Sequence, residues 1–193
     1  MIVTFTGPSG CGKNTLANDL INLYPDMYER VVTCTTRQPR QGERCGVDYY
    51  FLDQPSFSAF IRAGQFVEHM SFCGHSYGLL YAAISNILDK GKNAVFICDP
   101  EGVRSIRMIA GVNNTFNVYM HIDAKTRRDR MIRRGDTINA VEERIREDDS
   151  RFCHDPALYN LALHAQDGSG NMFVSLIHNM ILEAQNGNTK TPK

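Results

Sequence analysis

The chain has 193 residues, of which 42% are apolar, and its 21 basic side chains balance its 21 acidic ones. This length and apolar content fit one domain with a core of its own. A formal charge of zero gives no overall field to attract nucleic acid or an anionic membrane, and no segment reaches a membrane-spanning length, so we expect neither partner and any anion site must be local.

Apolar runs alternate with segments of helical periodicity along the chain. They predict strands at 2–6, 30–35, 66–72, 93–98, 116–122 and 159–163. They predict helices at 13–23, 55–63, 79–89, 101–110, 124–133, 139–151 and 171–185. This alternation is typical of an α/β fold in which helices flank a parallel sheet, and such sheets bind ligands at the carboxyl ends of their strands.

The two ends of the chain and its cysteines allow predictions about the cellular compartment and about disorder. The first residues lead directly into a strand, without the regions of a secretory signal, and we expect a cytoplasmic protein. The cysteine and histidine residues within 73–75 and 153–154 could instead ligate a metal, but the spacing of these two fragments does not follow a known metal-site pattern. The polar residues 187–193 predict a disordered tail. The cysteines expected to be free are Cys11, Cys34, Cys45, Cys73, Cys98 and Cys153.

The segment from residue 7 to 15 has the glycine and lysine spacing of a phosphate-binding loop. It lies between the first strand and the first helix, which is the context that such a loop requires. Its backbone N–H groups and the helix N-terminus would surround a polyphosphate, and its lysine would reach the outer phosphates. An ordinary glycine-rich turn is the alternative. The predicted nucleotide-binding residues are Gly7, Pro8, Ser9, Gly10, Cys11, Gly12, Lys13, Asn14 and Thr15.

Asn14 stands where this pattern has Ser or Thr, whose hydroxyl ligates the magnesium ion that bridges the nucleotide phosphates. An amide oxygen can also ligate a hard cation, but it is neutral and on a longer side chain. The ion therefore either sits differently or is held through water. Thr15 would substitute only if the start of the helix were rotated.

The stretch from residue 33 to 51 is rich in arginine and includes Arg37, Arg40 and Arg44. Two guanidinium groups three residues apart form a fork for a phosphate monoester, and a tyrosine hydroxyl such as that of Tyr49 can complete it. Glu68, if it faces the same cleft, can accept two N–H donors from one edge of a base. The alternative is a solvated charged loop beside a strand that carries a surface glutamate.

Four segments resemble guanylate kinases, in the same order and at similar separations. They read GPSGCGK, TTRQPRQGERCGVDYYF, EHMSFCGHSYG and RMIRRG, and the resemblance runs from residue 2 to about residue 164. It implies a P-loop nucleoside monophosphate kinase that uses ATP and Mg2+ to phosphorylate GMP or dGMP. It also implies a core (1–32, 84–123 and 152–186), an inserted nucleotide-monophosphate-binding region (33–83) and a lid (124–151).

The resemblance assigns roles to individual residues. Those implied to hold the acceptor phosphate are Arg37, Arg40, Tyr49 and Tyr77, and those implied to face guanine are Thr33, Glu68 and Asp99. The donor phosphates would be held by the loop and by lid residues Arg130, Arg134 and Arg144, so the catalytic set is Lys13, Arg37, Arg134 and Arg144. Phosphoryl transfer needs mainly positioning and positive charge, which supports these roles independently. The alternative for the arginines of 127–134 is a solvated face that pairs with the acids of 142–149.

Three residues depart from the family pattern. Asn14 and Ile97 replace a hydroxyl and a carboxylate near the magnesium environment, and such losses cost about 10 to 100-fold in affinity or activity at other metal sites. Leu79 replaces a hydrogen-bond donor to the base, which relaxes the preference for guanine. Two alternatives therefore stay open: a weakly active domain that binds nucleotide or a partner, and a kinase for another acceptor.

Overall fold

The structure is a computed structural model that describes residues 1–40, 42–72, 74–152, 155–164 and 170–188, without the side chains of Phe72 and Asn188. Two short 3-10 turns occur at Val112–Asn114 and Pro156–Leu158. In chain order the other elements are β1 (Ile2–Thr6), α1 (Lys13–Leu23), β2 (Tyr28–Arg30), β3 (Cys34–Thr35), β4 (Tyr50–Phe51), α2 (Gln54–Arg62), β5 (Phe66–Phe72), β6 (His75–Leu80), α3 (Tyr81–Leu88), β7 (Asn93–Ile97), α4 (Pro100–Ala110), β8 (Thr115–His121), α5 (Ala124–Arg133), α6 (Ile138–Arg151), β9 (Leu161–His164) and α7 (Gly170–Asn188).

The main sheet is parallel, with strand order β2-β7-β1-β8-β9. Helices cover both of its faces, because successive strand residues point to opposite sides. On β1, Val3 and Phe5 pack into a core cluster with α1 and α7, whereas Ile2 packs into a second cluster with α3 and α4. Thr4 also lies inside and donates a hydrogen bond to Asn117 Oδ1 at 2.7 Å. The predicted helix-flanked parallel sheet is confirmed.

A second sheet has the order β4-β3-β6-β5 and is mixed, since β3 and β4 are parallel whereas β6 runs antiparallel to both of its neighbours. The predicted strand at 66–72 belongs to this sheet and not to the parallel one. The predicted strand at 30–35 is wrong as a unit, because its two ends lie in different sheets. The predicted helix at 79–89 begins too early, since residues 79 and 80 pair with β5 as strand.

Aspartate and threonine side chains fix where several helices begin. Asp53, Asp99, Asp123 and Thr137 each accept a hydrogen bond from a backbone N–H in the first turn of α2, α4, α5 and α6 respectively. Such caps satisfy donors that have no partner within the helix. The caps of α4 and α5 follow strands of the parallel sheet, so these helices start at the edge where ligands bind.

The last helix is part of the core of the protein. The ring of His178 stacks on Tyr24 at a centroid distance of 3.7 Å, and its Nδ1 lies 3.0 Å from the Tyr28 hydroxyl. Burial lowers the pKa of His178. The helix continues to Asn188, so residues 187 and 188 are helical and not tail, while 189–193 of the predicted tail lie outside the described residues. Within the described chain, no helix combines the length and apolarity needed to cross a membrane.

Candidate active site

The segment between β1 and α1 forms a tight loop that packs closely against the backbone of neighbouring segments. Gly7 has a φ of 142°, and a Cβ there would lie 2.1 Å from the carbonyl oxygen of Met120. Gly10 has a φ of 79°, and its Cβ would lie 2.8 Å from the carbonyl oxygen of Arg127. Both positions therefore require glycine. The first helical residue is Lys13, so the N-terminus of α1 opens toward this loop, as the sequence predicts.

Two side chains at the start of α1 have different partners. Lys13 Nζ folds back onto the loop and donates to the carbonyl oxygens of Gly7 at 2.6 Å and Pro8 at 3.0 Å. Asn14 is exposed, and its Oδ1 accepts a hydrogen bond from Arg30 Nη2 at 3.1 Å. The side-chain oxygen that stands in place of a metal-ligating hydroxyl thus already accepts a hydrogen bond from the guanidinium of Arg30. Thr15 is exposed on the same turn.

The arginine-rich stretch forms a cage of cations and aromatic rings. Arg37 donates to Glu43 Oε1 at 2.8 Å, and its guanidinium lies 5.5 Å from the centroid of the Tyr49 ring. Tyr49 and Tyr77 meet edge to face at 6.2 Å. The hydrogen bond that Arg37 donates to Glu43 raises the pKa of Arg37, and burial raises that of Tyr49, so the guanidinium is charged and the phenol keeps its proton at neutral pH. Arg40 extends from the edge of this cage with an exposed side chain, and its backbone N–H donates to Glu43 at 2.7 Å.

Glu68 lies on β5 and projects toward the start of α4. It rests on Gly102, where a Cβ would lie 2.9 Å from Glu68 Oε1. Burial, with a smaller effect of the nearby Asp99, raises the pKa of Glu68 from 4.5 to about 7 although a hydrogen bond with Ser105 opposes the shift. The carboxyl group therefore changes charge near neutral pH and can accept donors from a ligand that enters beside it.

A cavity of about 640 Å³ is lined by residues from the start of α1, from the aromatic cage and from β5. The predicted site residues that line it are Lys13, Thr33, Tyr49, Glu68, Tyr77 and Asp99. Sequence reasoning missed others, notably Ser105, Arg151 and Phe152. Arg151 Nη1 lies 3.6 Å from Asp99 Oδ2, which places a cation of α6 at the cavity wall. The sequence gives only a weak signal for Ser105, Arg151 and Phe152, because each lies inside an ordinary amphipathic helix or at its end.

Two of the three departures from the family pattern lie in this part of the protein. Leu79 is 1% exposed and packs into the core beneath the cavity wall. Ile97 ends β7 at the cavity and packs against the core on the other side of the sheet. Both side chains are apolar where the family pattern has polar groups, so neither contributes a hydrogen bond to a ligand.

Two of the predicted lid arginines, Arg134 and Arg144, come together away from the residues that line the cavity. Arg134 Nε donates to Asp136 Oδ2 at 2.9 Å, and Arg144 Nη1 lies 3.7 Å from the same oxygen. Arg130 reaches the loop itself, donating to the carbonyl oxygen of Gly10 at 3.4 Å. Arg134 and Arg144 thus share one carboxylate whereas Arg130 contacts the phosphate-binding loop, and the catalytic roles of all three stay predictions.

The α5–α6 hairpin contacts the phosphate-binding loop through a carboxylate. Asp148 Oδ2 accepts a hydrogen bond from the backbone N–H of Ser9 at 2.7 Å and lies 3.4 Å from Arg127 Nη1. Arg127 is only 4% exposed and also pairs with Asp149 at 2.9 Å, so the alternative interpretation is right about the acids with which this residue pairs and wrong in placing it on a solvated face. The buried charge stays there because two carboxylates compensate it.

The described cysteines Cys11, Cys34, Cys45 and Cys98 are free, as expected. Cys73 and the pair at 153–154 lie outside the described residues, so the weak metal-ligand alternative for them is not addressed by the structure. Among the residues that the structure does describe, no three His, Cys, Asp or Glu side chains form a group that could hold a metal ion.

A phosphate-binding loop at the carboxyl edge of a helix-flanked parallel sheet defines a P-loop protein of the α/β class. A family model described as guanylate kinase matches residues 1–167. The chain belongs to the guanylate kinase family.

Relatives and a solved structure agree with this assignment. A guanylate kinase from Enterococcus faecalis is 30% identical over 146 residues, which cover 75% of this chain and 71% of that protein. One from Chlorobium chlorochromatii is 38% identical over 110 residues, or 57% of each chain. The chain thus spans little more than half the length of some curated relatives that it matches. The crystal structure of guanylate kinase from Anaplasma phagocytophilum has the same fold, with a TM-score of 0.70 at 23% identity, covering 96% of this chain and 85% of that one.

Proposed function

We propose that the protein transfers the γ-phosphoryl group of ATP to GMP or dGMP, giving ADP and the corresponding diphosphate. One observation carries the proposal: the loop lysine, the tyrosine pair and Glu68 line the same cavity. A donor triphosphate on the loop and an acceptor nucleotide between the tyrosines and Glu68 would then meet in the same cavity. Bringing two reactants together in this way supplies much of the catalysis in phosphoryl transfer.

Glu68 supports the choice of guanine. A carboxylate accepts two N–H donors, and the Watson–Crick edge of guanine presents N1–H beside an exocyclic amino group. Adenine presents an unprotonated ring nitrogen at the same position. The charged form of Glu68 is therefore the form that binds, and a pKa of about 7 means that binding guanine would draw its proton off.

The cage of Arg37, Arg40, Tyr49 and Tyr77 supports a phosphate monoester as the acceptor. Guanidinium groups bind phosphate bidentately, and a protonated phenol adds a neutral donor. Glu43 already accepts hydrogen bonds from Arg37 and from the backbone of Arg40, which orders the cage before a ligand arrives. A catalytic role for Lys13, Arg134 and Arg144 would follow from their positive charge, which stabilises the transferring group.

Mg2+ is the proposed metal, as for ATP-dependent kinases in general. The oxygen of Asn14 does not fit the part of a direct ligand, because it accepts a hydrogen bond from Arg30. We expect the ion to arrive with ATP, held by phosphate oxygens and water. A cytoplasmic location is proposed as well, since both nucleotides and free thiols are typical of that compartment.

The proposal is tested with purified protein, MgATP and a panel of monophosphates: GMP, dGMP, AMP, CMP, UMP and dTMP. Formation of ADP should be confined to GMP and dGMP and should be lost in Arg37→Ala. Arg62→Ala, an exposed arginine at the end of α2, is the matched control and should keep full activity. Transfer to another base, or none to any acceptor, would refute the proposal.

A further inference from the structure

Arg30 is a cation at the site for which the sequence pattern gives no role. It is the last residue of β2 and is in register with Val95, in the middle of the neighbouring parallel strand β7. Its side chain is half-buried beside α1. Nη1 donates to Asn18 Oδ1 at 2.9 Å and Nη2 to Asn14 Oδ1 at 3.1 Å. Residues 14 and 18 are one helical turn apart, so they hold both ends of the guanidinium fork.

These hydrogen bonds leave the positive charge of Arg30 in place. Both partners are neutral amides, which orient the guanidinium without cancelling its charge. Burial raises the pKa of Tyr49, and the charges of Arg37 and Arg30 oppose that rise, so Arg30 is within electrostatic reach of the acceptor cage. The guanidinium therefore lies next to the first turn of α1, which follows the phosphate-binding loop.

A guanidinium bonded to Asn14 is incompatible with a metal ion bound to the same oxygen. Nη2 already donates a hydrogen bond to this oxygen, and two positive groups at one oxygen repel each other. A single arginine can instead donate two hydrogen bonds to phosphate, a task for which its planar fork is suited. Where a hydroxyl at position 14 would hold a metal ion, this protein has the guanidinium of Arg30.

We propose that Arg30 binds the terminal phosphates of ATP directly and takes over part of the charge neutralisation that a metal ligand at position 14 would otherwise serve. This inference deepens the proposed function, on which it rests for the identity of the nucleotide. Binding of ATP to this protein should then depend on magnesium less than binding to a loop with a hydroxyl at position 14. Asn14 and Asn18 act as positioning residues for the guanidinium.

The test measures ATP binding by calorimetry, without an acceptor, in EDTA and in excess Mg2+. Arg30→Gln should weaken the binding of magnesium-free ATP about tenfold, the usual effect of losing one charge-assisted contact. The Kd for GMP should stay within about twofold of wild type. Arg62→Gln is the control for loss of a positive charge elsewhere. Unchanged binding of magnesium-free ATP in Arg30→Gln would overturn the inference, and so would a loss confined to GMP.

A second variant tests the same inference by changing Asn14, the hydrogen-bond partner of Arg30. Asn14→Ser releases one end of the guanidinium and restores a hydroxyl ligand, so the ratio of the Kd without magnesium to the Kd with magnesium should rise several-fold. An unchanged ratio would count against the inference. Both residues lie outside the core, so neither variant should impair folding. Because these measurements involve no turnover, they can succeed even if GMP proves to be the wrong acceptor.

Discussion

Replacing Glu68 by glutamine should stabilise the free protein while removing the proposed preference for guanine. Burial raises the pKa of this carboxyl group from 4.5 to about 7, so the fold disfavours the charged form. One pKa unit corresponds to about 1.4 kcal/mol, which gives an upper limit of about 3 kcal/mol for the cost of the charge. The side chain keeps some contact with solvent, and we expect about 1–2 kcal/mol after allowing for screening.

The sign of the pH dependence follows from proton binding. Between about pH 4.5 and 7 the folded protein holds the Glu68 proton more tightly than the unfolded chain does. The stability that this provides is fully present below pH 4.5 and is lost as the pH rises through 7. Glutamine carries no titrating proton, so the difference between wild type and variant should change across this window.

Urea unfolding at pH 5, 6, 7 and 8 measures that difference. Glu68→Gln should gain stability relative to wild type as the pH rises, with most of the gain between pH 5 and 7. Glu101→Gln is a matched control, because Glu101 lines the same cavity but its side chain is 77% exposed. A difference between Glu68→Gln and wild type that stays constant with pH would refute the reasoning. The variant should also lose most of its affinity for GMP, measured by calorimetry at pH 8.

Three further changes test separate parts of the site. Gly102→Ala places a Cβ 2.9 Å from Glu68 Oε1, so it should weaken GMP binding at least tenfold and leave ATP binding intact, as calorimetry with each nucleotide would show. Asp148→Asn removes a negative charge that accepts from the Ser9 N–H, so the Kd for ATP should fall several-fold, whereas a higher Kd would mean that the carboxylate assists binding. Tyr49→Phe keeps the aromatic ring and loses one donor, so the KM for GMP should rise about tenfold with a smaller change in kcat.

The phosphate-binding loop could be predicted because its information is local. The apolar run of β1, the glycine spacing and the amphipathic α1 all lie within 23 residues. Strand β6 was missed, since its sequence HSYGLL has a central glycine and no clear alternation. The division of 30–35 between two sheets depends on where the chain leaves the parallel sheet, and no local pattern signals that point.

The site was predictable in its residue types more than in its contacts. Tyr49, Tyr77 and Glu68 line one cavity as expected, because strands that pair bring distant segments together. The burial of Arg127 was not predictable, since a helix rich in arginine has the composition of a solvated face. Asp148 and Asp149 are among the acids that the sequence offers as its partners, but their burial of the charge depends on how α5 packs against α6.

The packing of α7 sets a limit on how far the chain can be shortened. The match to the guanylate kinase family ends at residue 167, whereas α7 begins at Gly170. Val174, Ile177 and Ile181 of this helix are almost fully buried in the cluster that also contains the apolar face of α1. Burying each such side chain contributes about 1.5–3 kcal/mol, and a whole domain is stable by only about 5–15 kcal/mol. A fragment cut at the family boundary would leave the inner face of α1 in water, so the smallest unit that folds around the phosphate-binding loop is longer than the region by which the family is recognised.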